Sequence, residues 1–176
     1  MPVSPDQLLA EILHQHQAKS ILLIGNTTLP ALQQYLSANT GVTQCCRPTL
    51  DSTDLTDFPD RFDLCLITDD LNKLDKAKGT ELIGGIRNRL CHHIYLFLPL
   101  AQQAATDQWQ VGDLFALGLK RVAEFKRPID ANDGETENPT AVLSCFAYQI
   151  ENYIKKRDWN NARYWANPEN FGKYWW

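Results

Sequence analysis

Short, almost wholly apolar runs recur along the chain, separated by stretches whose apolar residues have helical spacing. Such runs are typical of strands that are covered on both faces of a sheet. Because the runs alternate with helices, the pattern predicts an α/β fold with a mostly parallel sheet of about six strands. The predicted strands are residues 21–24, 42–47, 62–69, 93–100, 119–125 and 141–150, and the fourth is expected to stop at Pro99.

The chain starts with a strong helix-initiation signal. Ser4 can cap the first turn, Pro5 is tolerated at the first helical position, and Gln7 follows the cap by three residues. This helix is expected to end near Lys19. Further helices are predicted at residues 29–36, 75–90 and 111–118, and the polar, turn-rich segments 48–61 and 126–140 are predicted to be loops.

Composition and charge place the chain among ordinary globular proteins. It has 176 residues, of which 44% are hydrophobic and 22% charged, and this length suits one domain with a sizeable core. The net charge of −4 gives no reason to expect nucleic-acid or membrane-surface partners. No apolar run approaches the roughly 18 residues that span a bilayer, and no signal-peptide pattern opens the chain, so a cytoplasmic protein is expected.

The cysteines and histidines do not form metal-ligand motifs. The five cysteines include no CxxC pair, and most of them lie inside apolar runs, which favours buried, reduced thiols. The pairs His92-His93 and His14-x-His16 lack the spacing of metal ligands. No metal site is therefore predicted.

A candidate ligand site lies where the first apolar run turns into a helix. Gly25 makes this turn, and an open helix end with bare backbone can hold a phosphate or a ribose. Asn26 and Thr27 follow, and their side chains can hydrogen-bond a ligand at the helix start. The alternative is that Asn26 and Thr27 only cap the helix of residues 29–36.

A second candidate is the acidic pair Asp69-Asp70, at the carboxyl end of the predicted strand of residues 62–69. Ligands bind at the carboxyl ends of strands in open α/β sheets. Carboxylates there can accept a hydrogen bond from a substrate amine or act as a base if one pKa is raised. The alternative is that one carboxylate caps the next helix and the other is solvated.

Residues 62–100 combine an apolar strand, an acidic turn, a helix and a second apolar strand. The residues that carry this order are Phe62, Asp63, Leu64, Asp69, Asp70, Leu71 and Leu74, and the later segment GDLFALGLKRV adds a helix that ends in LGL before a strand. The order resembles a class I S-adenosylmethionine-dependent methyltransferase over about residues 10–150. The resemblance implies a three-layer, Rossmann-like sheet of methyltransferase type, with S-adenosylmethionine as cofactor.

Three departures from that family's pattern bear on function. The family's cofactor loop is E/D-x-G-x-G, whereas this chain has only Gly25. The family's second strand ends on an acid that binds the ribose hydroxyls, whereas this strand ends on Arg47, with Asp51 several residues later. Residues 48–61 are too few for the usual helix and third strand, so one edge of the sheet is expected to be shortened.

The C-terminal extension, residues 151–176, is rich in aromatic side chains interleaved with basic ones. The sequence DWNNARYWANPENFGKYWW resembles the C-terminal signature of uncharacterised bacterial proteins of the DUF6231 type. Exposed rings in this number would aggregate, so the extension is expected to pack on the Rossmann-like domain of residues 1–150 or to form a homodimer interface. Stacking on single-stranded nucleic acid is the less favoured alternative. Its rings are Tyr153, Trp159, Tyr164, Trp165, Phe171, Tyr174, Trp175 and Trp176.

Two functional hypotheses remain open. The departures favour a methyltransferase-like protein that is degenerate in its cofactor site, holds no cofactor, and acts as a binding or interaction module for a small molecule or a protein. The alternative is an active S-adenosylmethionine-dependent methyltransferase with an atypical loop. In both, the candidate cofactor-binding residues are Gly25, Asn26, Thr27, Asp69 and Asp70.

Overall fold

The computed structural model describes residues 4–27, 29–48, 52–68, 71, 74–100, 108–126, 142–149, 163, 167–170 and 173. The helices are α1 (Pro5–His16), α2 (Pro30–Ala38), α3 (Lys76–Gly85) and α4 (Val111–Ala116). The strands are β1 (Ser20–Ile24), β2 (Thr43–Arg47), β3 (Phe62–Ile67), β4 (Cys91–Leu100), β5 (Lys120–Lys126) and β6 (Val142–Gln149).

The strands form one sheet in the order β2-β1-β3-β4-β6-β5. The first four strands are parallel, and β6 is antiparallel to both of its neighbours. The chain steps from β1 to β2 on one side and then returns to β3 on the other side of β1. The topological switch point therefore lies between β1 and β3, where open α/β sheets place their ligands.

Each face of the sheet buries its own apolar cluster. Leu22 and Leu96 lie in the cluster under α3 and α4. Leu23 and Leu66 lie in the cluster under α1 and α2. Because successive residues of a strand point to opposite faces, both residue sets must be apolar, and this explains the uninterrupted apolar runs. The predicted three-layer, Rossmann-like α/β fold is confirmed.

Helix α1 begins as its sequence signal predicts. The Gln7 amide donates to the Ser4 hydroxyl at 3.2 Å, and Pro5 occupies the first turn. The helix ends at His16, earlier than the expected end near Lys19, because Gln17 adopts a left-handed conformation with φ 46° and returns its N–H to the Leu13 carbonyl.

The predicted stop at Pro99 is wrong, because β4 runs through Pro99 to Leu100. The pairing of β4 with β3 ends at Leu96, and beyond that residue β4 pairs with β6 alone. A strand that is paired on one side leaves alternate N–H groups without a partner strand, so a proline, which lacks this group, is tolerated there.

The connection between β2 and β3 is short, as predicted, and β2 is the outermost described strand on that side of the sheet. Residues 48–61 were predicted to be a loop, but they contain the 3₁₀ helix Ser52–Asp57. Leu55 of this helix is buried against α3 at Gly85. Helix α3 continues as the π-helical turn Ile86–Leu90, so the predicted helix of residues 75–90 is confirmed. In the described residues, no helix has the length and apolar character needed to cross a membrane.

Candidate functional site

Gly25 ends β1 at the switch point. Its φ of 129° lies in a region that side chains disfavour, and the residue is buried. The Gly25 N–H donates to the carbonyl of Arg47 at 2.9 Å, so the turn is held against the end of β2. The predicted turn is confirmed. Because the Gly25 N–H donates to a carbonyl of the same chain, this donor is already used within the protein.

Asn26 and Thr27 are exposed on the loop between Gly25 and α2. The N-cap of α2 is Leu29, which makes no side-chain capping bond, and Pro30 opens the helix. Asn26 and Thr27 both precede the capping position, so neither is the N-cap residue of α2 itself. Their polar side chains lie instead on the loop that follows the switch point.

Thr68 ties the carboxyl end of β3 to that of β1. The residue is 2% exposed, and both its N–H and its hydroxyl donate to the Ile24 carbonyl, at 3.0 and 3.3 Å. Sequence reasoning missed this residue, although a polar side chain directly after an apolar run is a usable signal. Asp69 and Asp70 come next and lie outside the described residues, so their role stays a prediction. Buried Leu71 follows them.

Arg47 stands at the carboxyl end of β2, next to Gly25. Its guanidinium carbon lies 5.4 Å from the centroid of the Phe58 ring, which is within the range of a cation–π contact. Arg47 is exposed, so this contact orders the side chain more than it stabilises the fold. Asp51, the nearest later acid, lies outside the described residues. In the described structure β2 thus ends on a basic residue and not on an acidic one.

The buried thiols are not suited to nucleophilic chemistry. Burial, together with a hydrogen bond to Cys91, raises the pKa of the Cys65 thiol well above its usual value. Burial also raises the pKa of Cys145 to about 12. Thiolates are the reactive form, so these groups stay inert near neutral pH. The expected burial holds for these three cysteines but not for Cys46, which is exposed on the edge strand β2.

Asp63 lies at the amino ends of the strands, at the opposite end of the sheet from the switch point. Burial by itself raises the pKa of this carboxyl, but hydrogen bonds from the amides of Lys19 and Ser20 and from the Ser20 hydroxyl outweigh it, and the pKa is lowered. These bonds measure 2.9, 3.0 and 3.1 Å. Asp63 therefore joins the start of β3 to the start of β1 and lies away from the switch point.

Comparisons with known proteins identify the family of the chain and its fold. The model of a family described as "Family of unknown function (DUF6231)" matches residues 3–176. No curated protein matches the chain. Among solved structures, methyltransferase CalO6 is 13% identical, with a TM-score of 0.52, over 82% of this chain and 61% of that one.

Two further structures are similar over most of both chains. The N-terminal domain of EvdMO1, solved with S-adenosylhomocysteine bound, is 13% identical over 83% of this chain and 84% of that chain, with a TM-score of 0.51. An S-adenosylmethionine-dependent methyltransferase from Clostridium acetobutylicum ATCC 824 is 9% identical over 82% and 90%, with a TM-score of 0.50. At identities this low, the structural likeness establishes the architecture but not the activity. The chain belongs to the DUF6231 family of unknown function and has the Rossmann-like fold of methyltransferases.

Proposed function

We propose that the protein is a methyltransferase-like binding or interaction module that does not transfer methyl groups. The observation that carries this proposal is Arg47, which stands at the end of β2, next to Gly25. Nucleoside-binding α/β folds use a carboxylate in this region to accept hydrogen bonds from the ribose hydroxyls.

The chemistry of Arg47 opposes that role. A guanidinium has five donors and no acceptor, so it cannot receive a hydrogen bond from a ribose hydroxyl. It is also a fixed positive charge, and the sulfonium of S-adenosylmethionine is positive as well. The guanidinium lies against the Phe58 ring, which in turn packs on the ring of Phe62 at the start of β3, and no residue of β2 supplies a carboxylate in place of this cation. A ligand with acceptor groups fits this cation better than a sulfonium nucleoside does.

The chemistry of the loop after β1 also supports a binding or interaction module. The Gly25 amide is already bonded to the Arg47 carbonyl, and the next two residues carry side chains where a glycine-rich loop offers open backbone. Asn26 and Thr27 are exposed and supply amide and hydroxyl groups. These groups suit a polar ligand or a protein surface that is read by side chains.

The alternative function is an active S-adenosylmethionine-dependent methyltransferase with an atypical loop. It is favoured by the position of Gly25, whose positive φ lies at the switch point, and by the likeness to a domain solved with S-adenosylhomocysteine. When bound, S-adenosylmethionine would supply the methyl group. Asn26, Thr27 and the acidic pair Asp69-Asp70 would be the residues that hold and orient it.

Thermal unfolding with 1 mM S-adenosylmethionine or S-adenosylhomocysteine separates the two functions. A ligand with micromolar affinity would stabilise the native state by about 4 kcal/mol and raise Tm by roughly 8 °C or more. We expect no shift in Tm. A large shift in the wild type that is absent in Gly25→Val, whose side chain obstructs the turn, would support the methyltransferase and overturn the proposal.

A further inference from the structure

An apolar surface lies at the opposite edge of the sheet from β2. Phe115 of α4 is 51% exposed and Val122 of β5 is 49% exposed, and these are the exposed large hydrophobic side chains of the described residues. Phe115 lines a shallow cavity of about 510 Å³ together with Gly118, Leu119, Lys120 and Arg121. Val122 does not line the cavity but directly follows Arg121, which does, along β5. We call Phe115, Val122 and this cavity the α4–β5 surface.

Strand β6 pairs with β5 and ends near this surface. In the antiparallel pairing of β6 with β5, Phe146 lies opposite Arg121 and Ala147 lies opposite Lys120. The ring of Phe146 is 6.3 Å from the ring of Phe115. Strand β6 ends two residues after Ala147, at Gln149. The described chain of β6 therefore ends next to the start of β5, close to residues that line the cavity.

The aromatic composition of the extension suits it to cover an apolar surface. Residues 151–176 contain four of the five tryptophans of the chain, with three tyrosines and one phenylalanine. The described residues of the extension include Asn167, Glu169 and Lys173, and these polar side chains are exposed. With polar positions facing water, the aromatic positions between them are the ones available to bury apolar surface.

We propose that the C-terminal extension of the same chain covers the α4–β5 surface. A tethered segment meets a surface at an effective concentration in the millimolar range, which a second copy of the chain does not reach at ordinary protein concentrations. The 26 residues of the extension can span far more than the width of one helix and one strand. Its aromatic rings pack on Phe115 and Val122, which removes both sets of apolar atoms from water.

Hydrogen–deuterium exchange of the full chain tests this docking. In the wild type we expect the backbone amides of residues 151–176 to be protected, to the same degree at low and high protein concentration. Phe115→Ser places a polar group in the surface and should abolish that protection, whereas Phe115→Leu keeps an apolar side chain and should retain most of it. Exchange in β1, β3 and β4 serves as the control for an intact core.

Tryptophan quenching by acrylamide gives a second readout. Trp109 is 4% exposed in the core, so a change in quenching reports on the four tryptophans of the extension. Quenching should rise in Phe115→Ser and, if that variant does not fold, in Val122→Ser. Unprotected extension amides in the wild type, or protection that Phe115→Ser leaves unchanged, would overturn the proposal. So would protection that grows with protein concentration together with a dimer mass in sedimentation, because it would identify a second copy as the occupant.

Discussion

A hydrogen bond of 2.8 Å joins Nε2 of His16 to the hydroxyl oxygen of Tyr95. The side-chain amide of Gln149 donates to the same hydroxyl at 2.7 Å. His16 is the last residue of α1, Tyr95 lies in β4, and Gln149 ends β6. One buried hydroxyl thus joins the first helix to two strands that are distant in sequence.

Removing this hydroxyl should weaken the fold. In Tyr95→Phe, the hydrogen bonds of the hydroxyl to Gln149 and to His16 are both lost, and we expect the free energy of unfolding to fall by about 1–3 kcal/mol. Urea denaturation at pH 8 measures the change. Tyr35→Phe is a matched control, because the Tyr35 hydroxyl makes a single longer bond to the Ala18 carbonyl at 3.3 Å and should matter less. Equal losses in the two variants would contradict the bridging role of Tyr95.

Asp63 should make stability depend on pH in the acid range. Its folded pKa is lower than that of an unfolded aspartate, so its stabilising contribution is complete above the unfolded pKa of about 3.9 and is lost as pH falls through the lower, folded value. At pH 7, Asp63→Asn should reduce the free energy of unfolding by about 1–2 kcal/mol, allowing for partial exposure of the carboxylate. Urea titrations from pH 7 to pH 2 should show this difference shrinking below about pH 4. A difference that stays constant over the whole range would rule out the charge of Asp63 as its cause.

The adjacent glycines of α3 should respond in opposite directions to alanine. A Cβ on Gly85 would lie 2.2 Å from Cδ1 of buried Leu55, whereas a Cβ on Gly84 meets nothing within 4 Å. Gly85→Ala should therefore destabilise the protein by about 1–3 kcal/mol through overpacking. Gly84→Ala should stabilise it by about 0.5–1 kcal/mol, because alanine favours the helix. Thermal unfolding of the two variants side by side decides this, and the same sign for both would show that the packing of Leu55 does not distinguish the two positions.

Thr68 should contribute to stability through its hydroxyl. Thr68→Val keeps the shape and the backbone bond to Ile24 but removes the buried side-chain donor, and we expect a loss of about 0.5–1.5 kcal/mol. Thr68→Ser retains the hydroxyl and tests whether the donor or the methyl group matters. Chemical denaturation measures both variants. If Thr68→Val is as stable as the wild type, the hydroxyl does not hold the ends of β1 and β3 together.

The sheet was predictable from the sequence because its central strands are buried on both faces. The uninterrupted apolar runs around Leu22, Leu66 and Leu96 follow from this burial. Features set by partners distant in sequence were harder to predict. The passage of β4 through Pro99 depends on where β3 ends. The early end of α1 is local in origin, but the left-handed conformation of Gln17 is not specified by the apolar pattern.

The position of the candidate site was easier to predict from the sequence than its chemistry. Gly25 lies at the switch point as expected, because a strand, a glycine and a helix in sequence specify that turn. The sequence also shows that Arg47 ends the second strand, but its contact with Phe58 depends on the fold of the intervening connection. Local patterns did not single out Thr68, whose bonds to Ile24 depend on the pairing of β1 with β3.

Calorimetric titration of the wild-type protein with S-adenosylmethionine and S-adenosylhomocysteine tests most directly whether the switch-point site serves methyl transfer. Because Arg47 offers no acceptor for the ribose hydroxyls and the Gly25 amide is already bonded, we expect no binding heat for either ligand up to millimolar concentration. Saturable binding of either ligand at micromolar concentration would contradict a site that has lost its cofactor.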